Sequence, residues 1–120
     1  MARTAVTVTD LTTATSVADP AGTTADATNG HTITGVRPEV LAIRVKNTTA
    51  GSLNAILRAG AQPLANASGQ GDLTVSVGAG ATVFISPSES ARFLQNDGSV
   101  SLDLQATFTG TVTAFKVNRR

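Results

Sequence analysis

The sequence predicts an all-β fold: a single antiparallel β-sandwich or barrel, of jelly-roll or immunoglobulin-like type, with about eight or nine short strands and a long irregular N-terminal arm. Three observations carry this. Thr, Ala, Gly, Ser and Val dominate the composition, a mixture rich in strand formers and poor in helix formers. Apolar and polar residues alternate in short runs, and Gly, Pro, Asn or Asp interrupt the runs. At 120 residues the chain is the size of one domain. A chain of that size buries roughly two-thirds of its unfolded surface without needing staples.

"AVTVT" (5–9) is the first alternating run and reads as a strand. Residues 10–37, "DLTTATSVADPAGTTADATNGHTITGVR", lose the period. Within them "DPAG" (19–22) and "NG" (29–30) are turn signals. So long an irregular stretch is uncommon inside a compact domain. It reads either as a loose surface loop or as an arm that orders against another subunit. Its low hydrophobicity leads to the expectation that it is mobile in the isolated subunit and ordered in an assembly.

Past Pro38 the alternation sharpens. In "VLAIRVKNTTAGSLNAILRAG" (40–60), a loop over 47–51 would set Val45 opposite Leu53, Ile43 opposite Ala55 and Leu41 opposite Leu57. That register leaves one face apolar and the other mostly polar, as a hairpin requires. In "LTVSVGAGATVFI" (73–85), the loop Gly78-Ala79-Gly80 pairs Val77 with Ala81, Val75 with Val83 and Leu73 with Ile85. Gly80 supplies the left-handed residue that three-residue hairpins want. Phe84 then lies on the outer face opposite Thr74.

"SPSESARFLQNDG" (86–98) reads two ways. Ser86-Pro87-Ser88-Glu89 has the pattern of a helix start. With Asp97-Gly98 as a turn, however, Phe93 faces Leu102, Ala91 faces Leu104 and Gln95 faces Val100, while Arg92 meets Asp103 across the strands. The hairpin accounts for both runs and is preferred, with "SPSE" as a tight turn and room for one helical turn at 87–90. In the last run, "ATFTGTVTAFKV" (106–117), Phe108, Val112 and Ala114 share one face. Thr111, Thr113, Phe115 and Val117 share the other, and Gly110 marks a bulge.

The residue inventory excludes most chemistry. Cys is absent, so neither disulfides nor thiol chemistry are expected. The single His, His31, sits in the irregular segment, and no G-x-S-x-G elbow accompanies it to build a triad with Asp26. It is read as a polar surface residue. Asp19, Asp26, His31 and Asp72 have no recognised metal-ligand spacing. "GQGD" (69–72) and "GAG" (78–80) do not open helices and so cannot cradle phosphate. No catalytic residue, cofactor, metal or small-molecule substrate is therefore expected.

Nine basic and eight acidic residues are scattered to a net charge of +1, which leaves no basic footprint for nucleic acid. The four aromatics are all Phe, which disfavours a base-stacking or sugar-stacking platform. "MARTAVTVTD" has no signal-peptide apolar region, and no run is long enough to span a bilayer, so no membrane partner is expected. The mature chain is expected to begin near Met1 and to stay where it is made unless it leaves within a particle. Without a secretory signal, the sequons "NTT" (47–49) and "NAS" (66–68) are read as chance.

Five stretches carry a family resemblance: "DPAGTTADATNGHTI" (19–33), "RPEVLAIRVKNTT" (37–49), "ASGQGDLT" (67–74), "SARFLQNDGSVSLDL" (90–104) and "GTVTAFKV" (110–117). In texture and order the chain resembles the small head decoration or minor capsid proteins of tailed bacteriophages, especially those infecting actinobacteria. The resemblance implies a structural virion protein made in the host cytoplasm. It would bind the outside of the major capsid protein shell, often as a trimer, and cement capsomers. No catalytic residue carries over. The expected contact residues are the outward apolar Ile56 and Phe84, with Arg119 and Arg120 of the terminal "KVNRR" clamping acidic groups. Weak sites multiplied over a shell suffice for such a role. A tail or head–tail connector component and a carbohydrate-binding β-sandwich module are the alternatives.

Overall fold

The computed structural model describes residues 3–12, 16–36, 40–60, 72–86, 93, 95 and 98–117. Ten strands are present among them: β1 (Thr4–Ala5), β2 (Val8–Asp10), β3 (Thr23–Thr24), β4 (His31–Ile33), β5 (Leu41–Asn47), β6 (Leu53–Leu57), β7 (Leu73–Val77), β8 (Thr82–Ile85), β9 (Val100–Leu104) and β10 (Gly110–Lys116). They form two sheets of five strands. Sheet A runs β1-β4-β9-β6-β7, and sheet B runs β2-β10-β5-β8, with β3 also pairing β10. Both sheets contribute to one hydrophobic core, with Ile33, Leu57, Leu102 and Val77 from sheet A facing Ile43, Val45, Val112 and Ile85 from sheet B.

The alternation read from the sequence assigns the inward positions correctly. Strand β5 buries Leu41, Ile43 and Val45 and leaves Ala42, Arg44 and Lys46 outward, as its two-residue period dictates. The expected strand partners are different. β5 does not pair with β6: Val45 lies beside Val83 and Val112, and Ile43 beside Ile85 and Ala114. Likewise β7 pairs with β6, setting Val75 beside Ala55, instead of with β8. Residues 48–52 and 78–81 are corners where the chain passes from one sheet to the other. The segment β5 to β8 is thus one long ribbon folded back on itself, β5 against β8 and β6 against β7, and bent across both sheets.

A buried asparagine holds the bend. Asn47 ends β5 with no exposed surface, and its Nδ2 donates to the carbonyls of Gly51 (3.0 Å), Val77 (3.0 Å) and Gly78 (3.2 Å). Its Oδ1 accepts from Thr49 N–H, and its own N–H donates to Ala81 O. One side chain therefore ties both corners together. The "NTT" sequon is consequently buried at its acceptor residue.

The hairpin expected over 91–104 is also corrected. Strand β9 is flanked by β4 and β6, so Leu102 lies beside His31 and Leu57 and has no edge left for Phe93. Phe93 instead has helical backbone and is buried in the core. The turn itself is present: Gln95 N–H donates to Ser99 O, Gly98 N–H to Gln95 O, and Gly98 is left-handed. Residues 87–92, including the expected turn at 87–90 and the pairing of Arg92 with Asp103, lie outside the described residues.

The N-terminal segment departs furthest from expectation. Within 10–37, β3 joins sheet B and β4 inserts between β1 and β9, burying His31, Ile33 and Val36. Both sheets are mixed, since β1 runs parallel to β4 and β2 parallel to β10. The long excursion between them makes such pairing accessible, because parallel neighbours need a crossover. Gly110 marks a close approach and no bulge. The β10–β5 register is unbroken, yet a Cβ at Gly110 would lie 1.8 Å from Lys46 O at a φ of 142°.

Candidate interaction face

His31, the residue from which any enzymatic reading starts, has no exposed surface. Its Nε2 accepts from Asp26 N–H at 2.9 Å, which leaves the proton on Nδ1 to bond Thr4 O at 3.2 Å. Burial pushes its pKa below the usual imidazole value. The Asp26 carboxylate makes its hydrogen bonds to groups other than the ring. It accepts from Thr4 Oγ1, Asn29 N–H and Asn29 Nδ2, and these bonds hold its pKa down at about 2. Asp26 and His31 thus meet through a backbone amide, and the group fastens β1 and the 26–30 turn to β4. Both ring nitrogens are occupied and no substrate can reach them. The surface role expected for His31 is corrected to a buried structural one. Among the described residues no cluster of three metal-ligating side chains exists, and no helix is long and apolar enough to cross a membrane.

The outer faces of the two sheets differ. On sheet A the charges satisfy one another. Asp103 receives Arg3 Nη1 and Arg58 Nε, and Arg58 Nη1 reaches Asp72 at 2.8 Å. Burial pushes the Asp103 carboxyl up, but the two guanidiniums outweigh it and leave its pKa below the usual range. Ile56 lies on this face, half-buried between Asp103 and Thr74. This network spans β1, β9, β6 and the start of β7, so it braces the sheet internally.

Sheet B presents a different surface. Phe84, on the edge strand β8, is 67 % exposed and sits beside Arg44, not opposite Thr74. Its ring lies 6.5 Å from that of Phe115, and the Arg44 guanidinium stands 5.5 Å from the Phe115 ring centre. Residues 19–22 cross this face. Arg44 donates to the Asp19 carboxylate, to Pro20 O at 2.7 Å and to Thr113 Oγ1 at 3.2 Å. Gly22 passes so close that a Cβ there would meet Thr113 Oγ1 at 2.5 Å. Beside this crossing lies an open groove of about 430 Å³, lined by Asp19, Pro20, Arg44, Lys46, Thr82 and Thr111 among others. Lys46, exposed on β5, has no ion pair among the described residues. Among the described residues, the other two exposed large apolar side chains also belong to segments on this sheet: Leu11 follows β2 with its N–H on Lys116 O, and Val17 precedes Asp19.

Of the four expected contact residues, Phe84 lies on the sheet B face and Ile56 on the opposite one, so the two cannot share a flat contact. Arg119 and Arg120 lie outside the described residues. Sequence reasoning missed Arg44, Lys46 and Asn47. The outward parity of Arg44 and Lys46 was visible, but their closeness to Phe84 depended on β8 pairing with β5. Comparison with protein-family models, curated proteins and solved structures yields no match.

Proposed function

We propose that this chain is a structural virion protein, a decoration protein that binds the outside of the major capsid protein shell of a tailed bacteriophage and stabilises capsomer contacts. The observation that carries the reading is the asymmetry of the outer faces. Among the described residues, sheet A closes its charges among themselves, while sheet B offers an exposed Phe84, a Lys46 without an ion pair and an open groove. A fold whose core is complete and whose interactive groups gather on one face suits one-sided docking. The resemblance of the five sequence stretches supplies the setting. The ribbon folded across both sheets supports a jelly-roll-like sandwich as the finer fold. Self-association as a trimer around a threefold axis, no enzymatic activity, and assembly after synthesis in the host cytoplasm complete the proposal.

Mass spectrometry and reconstruction of purified particles test it. The expected result is this chain on the head exterior at close to the copy number of the capsid subunit. Absence from the particle overturns the reading, and a copy number set by a tail or connector ring replaces it with the alternative.

A further inference from the structure

Strand β8 has β5 on one side and no described strand on the other. The phase of its ladder decides which backbone groups are left over. Asn47 N–H bonds Ala81 O, so the hydrogen-bonded pairs with β5 fall at Ala81, Val83 and Ile85. The N–H and C=O groups of Thr82 and Phe84 therefore point to the open edge, and among the described residues no hydrogen bond reaches them from that side. Thr82–Ile85 contains no Pro and no charge, and its register with β5 has no bulge, so three of the usual protections of an edge are missing. Its outward side chains are Thr82 and the exposed Phe84.

From these features, and resting on the reading of the chain as a docking protein, we propose that the edge of β8 receives an extended segment of a partner protein as an added strand. That strand carries, on its outer face, an apolar residue against Phe84 and a carboxylate two positions away, directed at Lys46. Lys46 stands beside Thr82 in the register, one strand in from the edge. Strands lie about 4.8 Å apart, so a residue added opposite Thr82 is two spacings from Lys46, and the short Thr82 side chain lets the ammonium lean across. Charge complementarity selects the occupant. A second copy of β8 could satisfy the backbone groups, but it brings no acidic residue and would leave both lysines unmatched. The main-chain bonds provide affinity, and the Phe84 and Lys46 positions provide the side-chain preference.

The test uses the full chain, isotope-labelled, with a short peptide alternating threonine with leucine and glutamate, and a control peptide carrying lysine in place of glutamate. The acidic peptide is expected to slow amide exchange at Thr82 and Phe84, and the lysine peptide is expected to bind more weakly. Phe84→Ser and Lys46→Glu should each weaken the acidic peptide about two- to fivefold, with Lys46→Glu reversing the preference between peptides. Unchanged exchange at Thr82 and Phe84, or protection at another sheet edge, overturns the proposal. Protection of these amides that grows with protein concentration in the absence of peptide also overturns it, and identifies a seam between copies. Particle binding by the same variants separates the two readings. Variants that decorate particles normally would sink the β8 site and leave the decoration role standing. Peptide binding by a chain absent from particles would do the reverse.

Discussion

At the scale of single residues, two buried polar side chains, Asn47 and His31, tie separate segments of this fold together. Asn47 satisfies three carbonyls drawn from two corners, so Asn47→Ala leaves buried acceptors without donors. Each orphaned group costs about 1–3 kcal/mol, and chemical denaturation should show a loss of about 3 kcal/mol or more. His31 makes stability depend on pH. Its folded-state pKa is lowered by burial, so the unfolded chain takes up the proton more readily than the folded one. The stabilisation is therefore complete above the ordinary value of 6.5 and is lost as pH falls through it toward the lowered value. Asp26 acts in a lower window, losing its contribution as pH drops from 3.8 to about 2. Denaturation midpoints should decline between about pH 7 and pH 5 in the native chain. His31→Gln, which keeps an acceptor but cannot titrate, should flatten that decline. An unchanged slope in the variant would remove His31 from the account.

At the scale of elements, the decisive contacts are those that select one strand pairing over another. Strands β5 and β10 run side by side from Gly110 against Asn47 to Lys116 against Leu41 without interruption. Only a residue without a Cβ can begin β10, because the Lys46 carbonyl occupies the space a side chain would need. Gly110→Ala is expected to cost several kcal/mol, since it adds a left-handed backbone penalty of about 1–3 kcal/mol to a clash with main chain. The comparison is Gly51→Ala, where nothing lies near the added methyl, and which should change stability by about 0.5 kcal/mol or less. Equal effects of the two substitutions, measured by thermal unfolding, would contradict the assigned pairing of β10 with β5.

At the scale of the whole molecule, the N-terminal third is part of the domain. β4 lies between β1 and β9 with neighbours on both sides, and Ile33 and Val36 lie in the common core. Amide exchange in the isolated protein should therefore protect His31 and Ile33 about as strongly as Val100 and Leu102 in β9. Fast exchange across 31–33 in the free chain, slowing only on assembly, would restore the arm. Residues 16–22 are different. They have no strand partners, Val17 is exposed, and contacts such as Asp19 and Pro20 with Arg44 hold them. They should exchange earlier than β4.

The alternation along the chain was enough to give the all-β class and the inward residues of β5 to β10, while β3 and β4 went unread. Leu41, Ile43 and Val45, Ala55 and Leu57, Leu102 and Leu104, and Val112 and Ala114 could all be placed by counting in twos. The sequence also marked the tight turns at Gly80 and Gly98, both left-handed in the structure. Alternation is a local property of a pleated chain, so it survives whichever strand lies alongside. Which strand lies alongside was decided by tertiary structure. The corners at 48–52 and 78–81 are as short as hairpin loops and read identically in sequence. What separates the two outcomes is a contact made at a distance: Asn47 closing both corners, and the inner faces of the two sheets burying one another. The interaction face has the same origin. Phe84, Lys46 and Arg44 each looked outward from the sequence alone, but they became neighbours only because the folded ribbon brought β8 to β5.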